Sequence, residues 1–393
     1  MAAPLPRIVK QLGWVSFFTD VASDMIYPLL PAFLRTIGGG PEALGLMEGV
    51  AEMVSALVKR QAGVASDRAG SRKPFVVAGY ALASLARPLM ALAVAPWQVV
   101  LLRALDRTGK GIRTAPRDAL VAGAVPEADR GAAFGFHRAM DNAGATLGPI
   151  VAFALMRGLD LGIRTVFALA LVPALASVVI VSLVREQRAE PKPSPTPAPA
   201  SADEVSAPLG PEARRFLVCV AFFTLGASAD SFLLLRLRDL GLAEAWLPVA
   251  WLSLNAVKAL TNVPGGRLAD RVGRKKTLLA AWALYVITYA AFPLARTPAV
   301  AWAIMLAYGA YYGLSEGVEK ALLSSLVPKR QQGRAFGTLH AATAIAVLPA
   351  NAAFGFLYAK SAPLAFGASA ALASVGLVLL AALVRPPPAG TAS

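Results

Sequence analysis

Five stretches of this chain contain no aspartate, glutamate, lysine or arginine, and each is 19 to 25 residues long. They occupy positions 165–184, 277–295, 297–315, 335–359 and 361–384. An α-helix needs about 20 consecutive apolar residues to cross the hydrocarbon core of a bilayer, so each stretch is long enough to span a membrane. The sequence therefore predicts an all-α integral membrane protein.

The composition argues against several classes of soluble protein. Hydrophobic residues make up 56% of the 393 residues and charged residues only 16%, whereas roughly a quarter of an ordinary soluble domain is charged. A soluble enzyme, a secreted disulfide scaffold and a nucleic-acid-binding domain are poor descriptions, although the net charge is +15. The single Cys219 cannot form an internal disulfide, and with only His137 and His340 no zinc cluster is available. We expect no enzyme, no cofactor, no metal and no nucleic-acid partner.

Twelve spans are predicted once apolar stretches with isolated charges are added to the charge-free ones. The first is expected to be a retained span and not a signal peptide, because Asp20 and Asp24 interrupt it and no small-residue cleavage site follows. A proline-rich cytoplasmic linker at 185–213 separates an N-terminal six-helix bundle at 1–184 from a C-terminal one at 214–393. The predicted spans are 11–35, 43–62, 74–94, 97–122, 131–156, 164–184, 214–236, 245–265, 276–295, 298–323, 334–358 and 363–384.

The distribution of basic residues sets the expected orientation. Loops on the same side as the N-terminus hold most of the lysine and arginine that lies outside the spans, and this side is expected to be cytoplasmic. The opposite side has only seven, namely Arg35, Arg157, Arg164, Arg236, Arg238, Arg296 and Lys360. We therefore expect a multi-pass protein of the cytoplasmic (inner) membrane with both termini in the cytoplasm. The net positive charge then reflects insertion into the bilayer.

Two motifs occur twice at matching positions. The segment GVASDRAGSRK at 63–73 recurs as GRLADRVGRKK at 266–276, and VPEADRGAAFG at 125–135 recurs as VPKRQQGRAFG at 327–337. The offsets are 203 and 202 residues, and both motifs fall on the cytoplasmic side. Internal repeats of this kind are typical of transporter folds. The sequence thus predicts a duplicated six-helix unit.

The repeated loop between spans two and three, and between spans eight and nine, resembles the signature loop of the major facilitator superfamily. The resemblance covers nearly the whole chain and implies two pseudo-symmetric six-helix bundles around a central cavity that opens alternately to either side. It also implies that the loops form a conformational latch on the cytoplasmic side. The residues assigned to this latch are Gly63, Asp67, Arg68, Gly70, Arg72, Lys73, Asp118, Gly266, Asp270, Arg271, Gly273 and Arg274.

Four further features resemble a branch or a subgroup of this superfamily. The stretch DMIYP at 24–28 and Arg103 are similar to features of multidrug/proton antiporters, and Gly144, Gly148 and Pro149 are similar to the start of the antiporter motif. Ala152 and Phe153 stand where that motif would continue with two glycines. The run at 106–118 is similar to a bacterial and archaeal permease subgroup whose substrates are mostly unassigned. The resemblance therefore names no substrate.

The predicted spans contain about twenty ionisable residues, which are costly inside a bilayer and are functional candidates by default. Fifteen lie in the N-terminal half, and those of the fourth span share one helical face. For any single residue a structural salt bridge is as good an explanation as a function. We assign proton coupling first to Asp24 and second to Glu52, together with Asp20, Glu48 and Asp141, because the pKa of a paired or buried carboxylate responds to hydration.

The substrate cavity is assigned to polar and aromatic residues of both halves. Tyr308, Tyr312 and Glu316 recur every four residues along the tenth span and suit an amphipathic organic substrate. Packing or interfacial roles are an open alternative for each tyrosine. The complete set is Arg103, Asp106, Arg107, Lys110, Arg138, Tyr308, Tyr312, Glu316, Asn255 and Lys258.

The main hypothesis is a monomeric, proton-coupled secondary transporter that exports a small organic or amphipathic compound. One alternative is the proton-coupled uptake of an anionic metabolite, which the cations of the fourth span favour. A second is a non-transporting membrane sensor on the same fold, although the linker has no room for a signalling domain. An ATP-driven pump is disfavoured because the sequence has no phosphate-binding G-x-x-x-x-G-K-[ST] loop.

Overall fold

The computed structural model describes residues 5–69, 71–126, 129–186, 208–328 and 331–385, and within these ranges it contains helices and no strand. Gly70 and most of the predicted linker lie outside them. The helices follow one another as twelve spans, so the predicted all-helical architecture is confirmed. Their bounds are Arg7–Ile26 with Tyr27–Leu29 and Leu30–Thr36, Pro41–Ala69, Lys73–Leu92, Pro96–Gly123, Arg130–Gly158, Ile163–Ser182, Pro211–Leu225 with Ser231–Asp239, Glu244–Trp246 with Leu247–Val272, Arg274–Leu294, Pro298–Ser325, Gln332–Lys360 and Ala362–Leu383.

Six of these spans are long and apolar enough to cross a membrane by length and composition alone. They are the third, fifth, sixth, ninth, eleventh and twelfth. The other six carry most of the ionisable residues of the described helices. A polar stripe inside a membrane must face protein or water and not lipid, so most of the charged residues that can build a functional site lie on these six spans.

The seventh span is broken, whereas the sequence predicted one continuous helix over 214–236. It stops at Leu225 and resumes at Ser231. Side chains satisfy the freed backbone groups, because Asn351 Oδ1 accepts a 2.8 Å hydrogen bond from the Ala229 N–H and Tyr285 donates to the Gly226 carbonyl. Non-helical backbone at membrane depth is tolerated only where protein satisfies it in this way. The break places Asp230 immediately before a new helix.

The chain divides into two compact units. The first contains residues 1–190 and 242–252, and the second contains residues 191–241 and 253–393. The eighth span therefore begins in the first unit and continues in the second. A core of fully buried side chains in the first unit includes Val9, Leu12, Val15, Tyr80 and Val121.

Two glycines set the spacing of the first and fifth spans. A Cβ on Gly148 would lie 2.7 Å from the Val21 carbonyl oxygen and 3.0 Å from the Asp24 Cβ. A Cβ on Gly144 would likewise collide with the first span beside Asp20. Only glycine permits so close an approach of two backbones. The antiporter-like glycines of the fifth span thus position the backbone that carries both acids of the first span.

Candidate functional site

Asp24, the first choice as the titrating acid, lies on the first span opposite Trp251. Its Oδ1 accepts a 2.7 Å hydrogen bond from the indole Nε1 of Trp251, and the Tyr27 ring packs 4.6 Å from the Trp251 ring. Trp251 belongs to the segment 242–252 of the first unit. Within the part of the chain that the structure describes, neither Asp24 nor Asp20 makes an ion pair. A carboxylate held by a neutral donor can change its charge without leaving a cation unpaired.

Asp106 has the opposite environment, because two arginines bind it. Arg87 Nε lies 2.8 Å from Oδ1 and Arg103 Nη1 lies 3.0 Å from Oδ2. All three side chains are at most 4% exposed, and Arg87 also donates to the Thr19 carbonyl of the first span. One acid between two bases is expected to stay ionised, since its neutralisation would leave two buried cations. We call Arg87, Arg103 and Asp106 the arginine clamp.

Arg103 has hydrogen-bonding capacity beyond the clamp. Its Nε and Nη2 are buried and have no hydrogen-bond partner among the described residues. The guanidinium also lies 5.0 Å from the centroid of the Tyr27 ring. Buried donors without a protein acceptor are available to an anionic group or to water. Arg103 therefore has two buried donors that no acceptor in the described chain uses.

The structure brings other predicted residues of the first unit together in pairs. Arg107 Nε lies 3.8 Å from Glu52 Oε1 across the fourth and second spans. Asp141 accepts a hydrogen bond from Ser16 and lies 3.5 Å from His137 Nδ1. Of three further predicted residues, Glu48 is buried one turn before Glu52 on the second span, whereas Lys110 and Arg138 are exposed.

The second unit contains a separate polar cluster. Lys258 Nζ lies 2.5 Å from Asp230 Oδ2, and the Tyr308 hydroxyl donates a 2.7 Å hydrogen bond to Asp230 Oδ1. Lys258 Nζ also lies 3.9 Å from the centroid of the Tyr312 ring. The predicted residues Tyr308, Tyr312 and Lys258 thus meet around Asp230. We call these four residues the tyrosine cage.

Two predicted cavity residues lie outside the tyrosine cage. Glu316 is exposed and forms a 3.4 Å ion pair with Lys320 on its own helix, a contact that solvent screens. Asn255 is half-buried one turn before Lys258. Three residues recur every four positions along the tenth span. Of these, Tyr308 and Tyr312 belong to the tyrosine cage and Glu316 does not.

The two signature loops make different contacts. In the first copy Arg72 Nη2 lies 3.5 Å from Asp67, and Asp118, which was also assigned to the latch, binds the adjacent Arg117. In the second copy Arg274 and Lys275 donate to the carbonyls of Ala321 and Ala381, close to the ends of the tenth and twelfth spans.

The glycines of the loops differ in whether the backbone requires a glycine. A Cβ on Gly63 would lie 3.4 Å from Ala115, an ordinary contact, so close approach does not require glycine there. Gly266 has open space around it. Gly273 has a φ of 99°, a conformation that favours glycine and that ends the eighth span. Gly70 lies outside the described residues. The structure therefore assigns a backbone requirement to Gly273 and not to Gly63.

Glu186 is a loop contact that the sequence did not reveal. Its carboxylate accepts hydrogen bonds from the backbone N–H groups of Arg72 and Lys73 at 2.9 and 3.0 Å and from the Ser71 hydroxyl at 2.9 Å. It thereby caps the N-terminus of the third span. Partial burial raises the pKa of Glu186, but the two N–H groups and the hydroxyl outweigh it and hold that pKa below its ordinary value.

A substitution at Glu186 tests this cap. We expect Glu186→Gln to increase hydrogen exchange at the backbone of 71–73 on the order of tenfold, because the amide loses a charge-assisted acceptor. In the unsubstituted protein the cap is complete above the ordinary pKa of glutamate and is lost as the pH falls through its lowered pKa. Exchange measured by mass spectrometry checks both statements.

Glu212 provides the matched control. Glu212 accepts a 2.8 Å hydrogen bond from the Arg385 N–H in the second unit. The motif LVRE at 183–186 recurs as LVRP at 383–386, so the second half has no acid at the position of Glu186. Glu212→Gln should leave the exchange of 71–73 unchanged. Equal exchange in the Glu186 variant and the parent protein would contradict the cap.

Three residues of these clusters were missed as site residues. Arg87 and Asp230 are visible in the sequence as charged residues inside spans, but nothing in their local sequence names their partners. The sequence analysis used His137 only to argue that too few histidines are present for a zinc site. The structure places it beside Asp141, with its Nε2 buried and without a hydrogen-bond partner in the described chain. Partner choice depends on helix rotation, which a single sequence does not report.

Comparison with known proteins agrees with this architecture. A family model described as Major Facilitator Superfamily matches residues 12–255 and again 216–393. The chain is 31% identical over 388 residues to an uncharacterized MFS-type transporter of Methanocaldococcus jannaschii, with 96% of this chain and 95% of that protein covered. It is 29% identical over 342 residues to the multidrug resistance protein MdtG of a Rahnella species, with 83% and 81% covered.

A solved structure with the same fold is that of a mutant of the nucleoside transporter NupG. The TM-score is 0.80 at 12% sequence identity, and the superposition covers 96% of this chain and 100% of the other. At this identity the likeness concerns the fold alone. Because the family model matches both halves and the archaeal relative aligns over almost the entire length, this chain belongs to the major facilitator superfamily of membrane transporters.

Proposed function

We propose that this protein is a secondary active transporter that works by alternating access and couples export of a small organic or amphipathic compound to protons. Membership of the superfamily supports transport, and the similarity to a multidrug resistance protein supports export. We further propose that it acts as a monomer in the cytoplasmic membrane, with both termini in the cytoplasm, and that the linker joins two six-helix bundles.

The environment of Asp24 carries the proton-coupling proposal. The acid has a neutral hydrogen-bond donor, Trp251, while Asp106 is bound by two arginines and Glu52 faces Arg107. Protonating Asp24 therefore breaks no ion pair, whereas protonating Asp106 would leave Arg87 and Arg103 without a counter-charge. A coupling acid must gain and lose its proton in each cycle, and Asp24 suits this change better than Asp106 or Glu52 because it has no cation to leave unpaired.

The contacts of the signature loops and of Glu186 support a role in the conformational change between the two states of alternating access. Asp67 and Arg72 pair within the first copy, Glu186 fixes the start of the third span, and the second copy binds helix ends. We propose that these residues, with Asp270 and Asp118, form the latch that holds one state and opens in the other. They act on the rate of the switch and not on recognition of the substrate.

The test is a transport assay in proteoliposomes with a panel of organic compounds. An imposed pH gradient should drive accumulation of at least one compound, and adding that compound should release or take up protons, measured with a pH-sensitive dye inside the vesicles. Empty vesicles and vesicles treated with a proton ionophore are the controls. Transport that ignores the pH gradient for every transported compound would contradict proton coupling.

A second candidate function is the uptake of an anionic metabolite. The buried Nε and Nη2 of Arg103, which have no hydrogen-bond partner in the described chain, favour it. The same vesicles distinguish the two functions, because an uptake system for anions would transport only the carboxylates or phosphates of the panel. In that case Arg103→Lys should weaken transport strongly, since lysine lacks the planar fork that binds an oxyanion.

A further inference from the structure

The tyrosine cage has the composition of a receptor for an ammonium group. Its acid, Asp230, is 8% exposed and comes directly before the helix Ser231–Asp239. Its aromatic residues, Tyr308 and Tyr312, lie on the tenth span, and its lysine lies on the eighth. Three separate spans therefore place a carboxylate and an aromatic face around one nitrogen atom, Lys258 Nζ.

The contacts of Lys258 Nζ are those that a substrate amine would make. The nitrogen is 2.5 Å from a carboxylate oxygen of Asp230 and 3.9 Å from the centroid of the Tyr312 ring. A charge-assisted hydrogen bond and a cation–π contact are the two interactions by which proteins recognise alkylammonium groups. The lysine side chain thus occupies the cage as a bound primary amine would.

The acid is the fixed partner of this pair and the lysine is the movable one. The Tyr308 hydroxyl holds Asp230 Oδ1 at 2.7 Å, and Tyr308 itself is only 1% exposed. The Lys258 side chain is 19% exposed and ends a flexible stem of four methylene groups. When the ion pair opens, the ammonium group is therefore the one that swings away, and a carboxylate with an aromatic face stays in place.

We propose that Asp230, Tyr308 and Tyr312 form a binding site for the primary ammonium group of a substrate, and that Lys258 is a tethered competitor for this site. The inference rests on the proposed function, because it names the substrate class of the transporter. A bound amine displaces the Lys258 ammonium from Asp230, and return of the lysine expels the amine. An anion is disfavoured at this site because it would have to displace the Asp230 carboxylate, which the Tyr308 hydroxyl holds in place.

Binding of n-butylammonium to the purified full-length chain in nanodiscs tests this site. We expect Lys258→Met to raise the affinity for n-butylammonium about tenfold or more, measured by isothermal titration calorimetry, because the tethered competitor is gone. The double variant Lys258→Met/Asp230→Asn should lose this gain. n-Butanol, which has the same chain without the charge, should not bind with increased affinity to any variant.

Lys360 supplies a matched control. Its ammonium lies 4.5 Å from the centroid of the Phe356 ring, but no carboxylate forms an ion pair with it in the described part of the chain. Lys360→Met should leave the affinity for n-butylammonium at the parent value. An equal gain in this variant would mean that any lost lysine increases binding, and would overturn the proposal.

The melting temperatures of the variants give a second measurement of amine binding at this site. Lys258→Met leaves a buried carboxylate without its cation and is expected to lower the melting temperature. n-Butylammonium should then restore that temperature in Lys258→Met and not in the double variant, where both charges are gone. If neither affinity nor melting temperature responds to the amine, Asp230 and Lys258 are a structural ion pair. If the amine has no effect but transport is still proton-coupled, only the amine site is rejected. If the amine binds but transport is not proton-coupled, only the proposed coupling is rejected.

Discussion

Asp24→Asn should abolish transport driven by a pH gradient while leaving substrate binding and energy-independent exchange largely intact. The amide resembles the protonated acid, and its oxygen can still accept the hydrogen bond that Trp251 Nε1 donates to Asp24. The packing of Tyr27 against Trp251 is therefore expected to survive. The measurement compares pH-driven accumulation with counterflow exchange in the same proteoliposomes.

Glu52→Gln is the comparison for Asp24. Glu52 is paired with Arg107 at 3.8 Å, and its loss should leave the pH dependence of transport in place. Uncoupling by Glu52→Gln and not by Asp24→Asn would move the proton site to the second span. If neither substitution alters the pH dependence, the acids are a structural network or part of an anion site, and proton coupling would have to be given up.

Asp106→Asn should destabilise the first unit by about 3–5 kcal/mol, because it leaves Arg87 and Arg103 buried without a counter-charge. An effect of this size is large compared with the total stability of most domains. Thermal unfolding in detergent, followed by tryptophan fluorescence, should show a strongly lowered melting temperature, since Trp14 and Trp97 lie in the first unit.

An exposed ion pair provides the control for Asp106. Lys320→Gln breaks the exposed pair with Glu316 and should cost less than about 1 kcal/mol. The double variant Asp106→Asn/Arg87→Met removes one cation with the acid and should recover part of the loss. A melting temperature of Asp106→Asn equal to that of the parent would show that the arginine clamp is hydrated and not a buried network.

The spans and their repetition could be predicted from the sequence because both depend on local properties. Hydrophobic length decides whether a segment crosses a bilayer, so the twelfth span, predicted at 363–384, is observed at Ala362–Leu383. The repeated loops can be recognised from their own sequence, independently of the contacts that they make. The family model confirms the superfamily that these loops indicated. The break in the seventh span was not predicted, because Gly226 and Asp230 lie in a largely apolar stretch. Only the structure shows that Asn351 satisfies the backbone that the break leaves free.

Partner choice among the charged residues needed the tertiary structure. The sequence by itself determined that this chain has twelve helical spans, a duplicated unit and an excess of charge in the N-terminal half. It ranked Asp24 before Glu52 as the coupling acid and assigned Asp106 to the substrate cavity. It could not say that Trp251 binds Asp24, that two arginines bind Asp106, or that Asp230 binds Lys258. Apart from the i,i+3 pair of Arg103 with Asp106, these contacts join residues 19 to 227 positions apart. Only the rotation and packing of whole helices bring such residues within hydrogen-bonding distance, so the tertiary structure alone decided which partner each of these acids has.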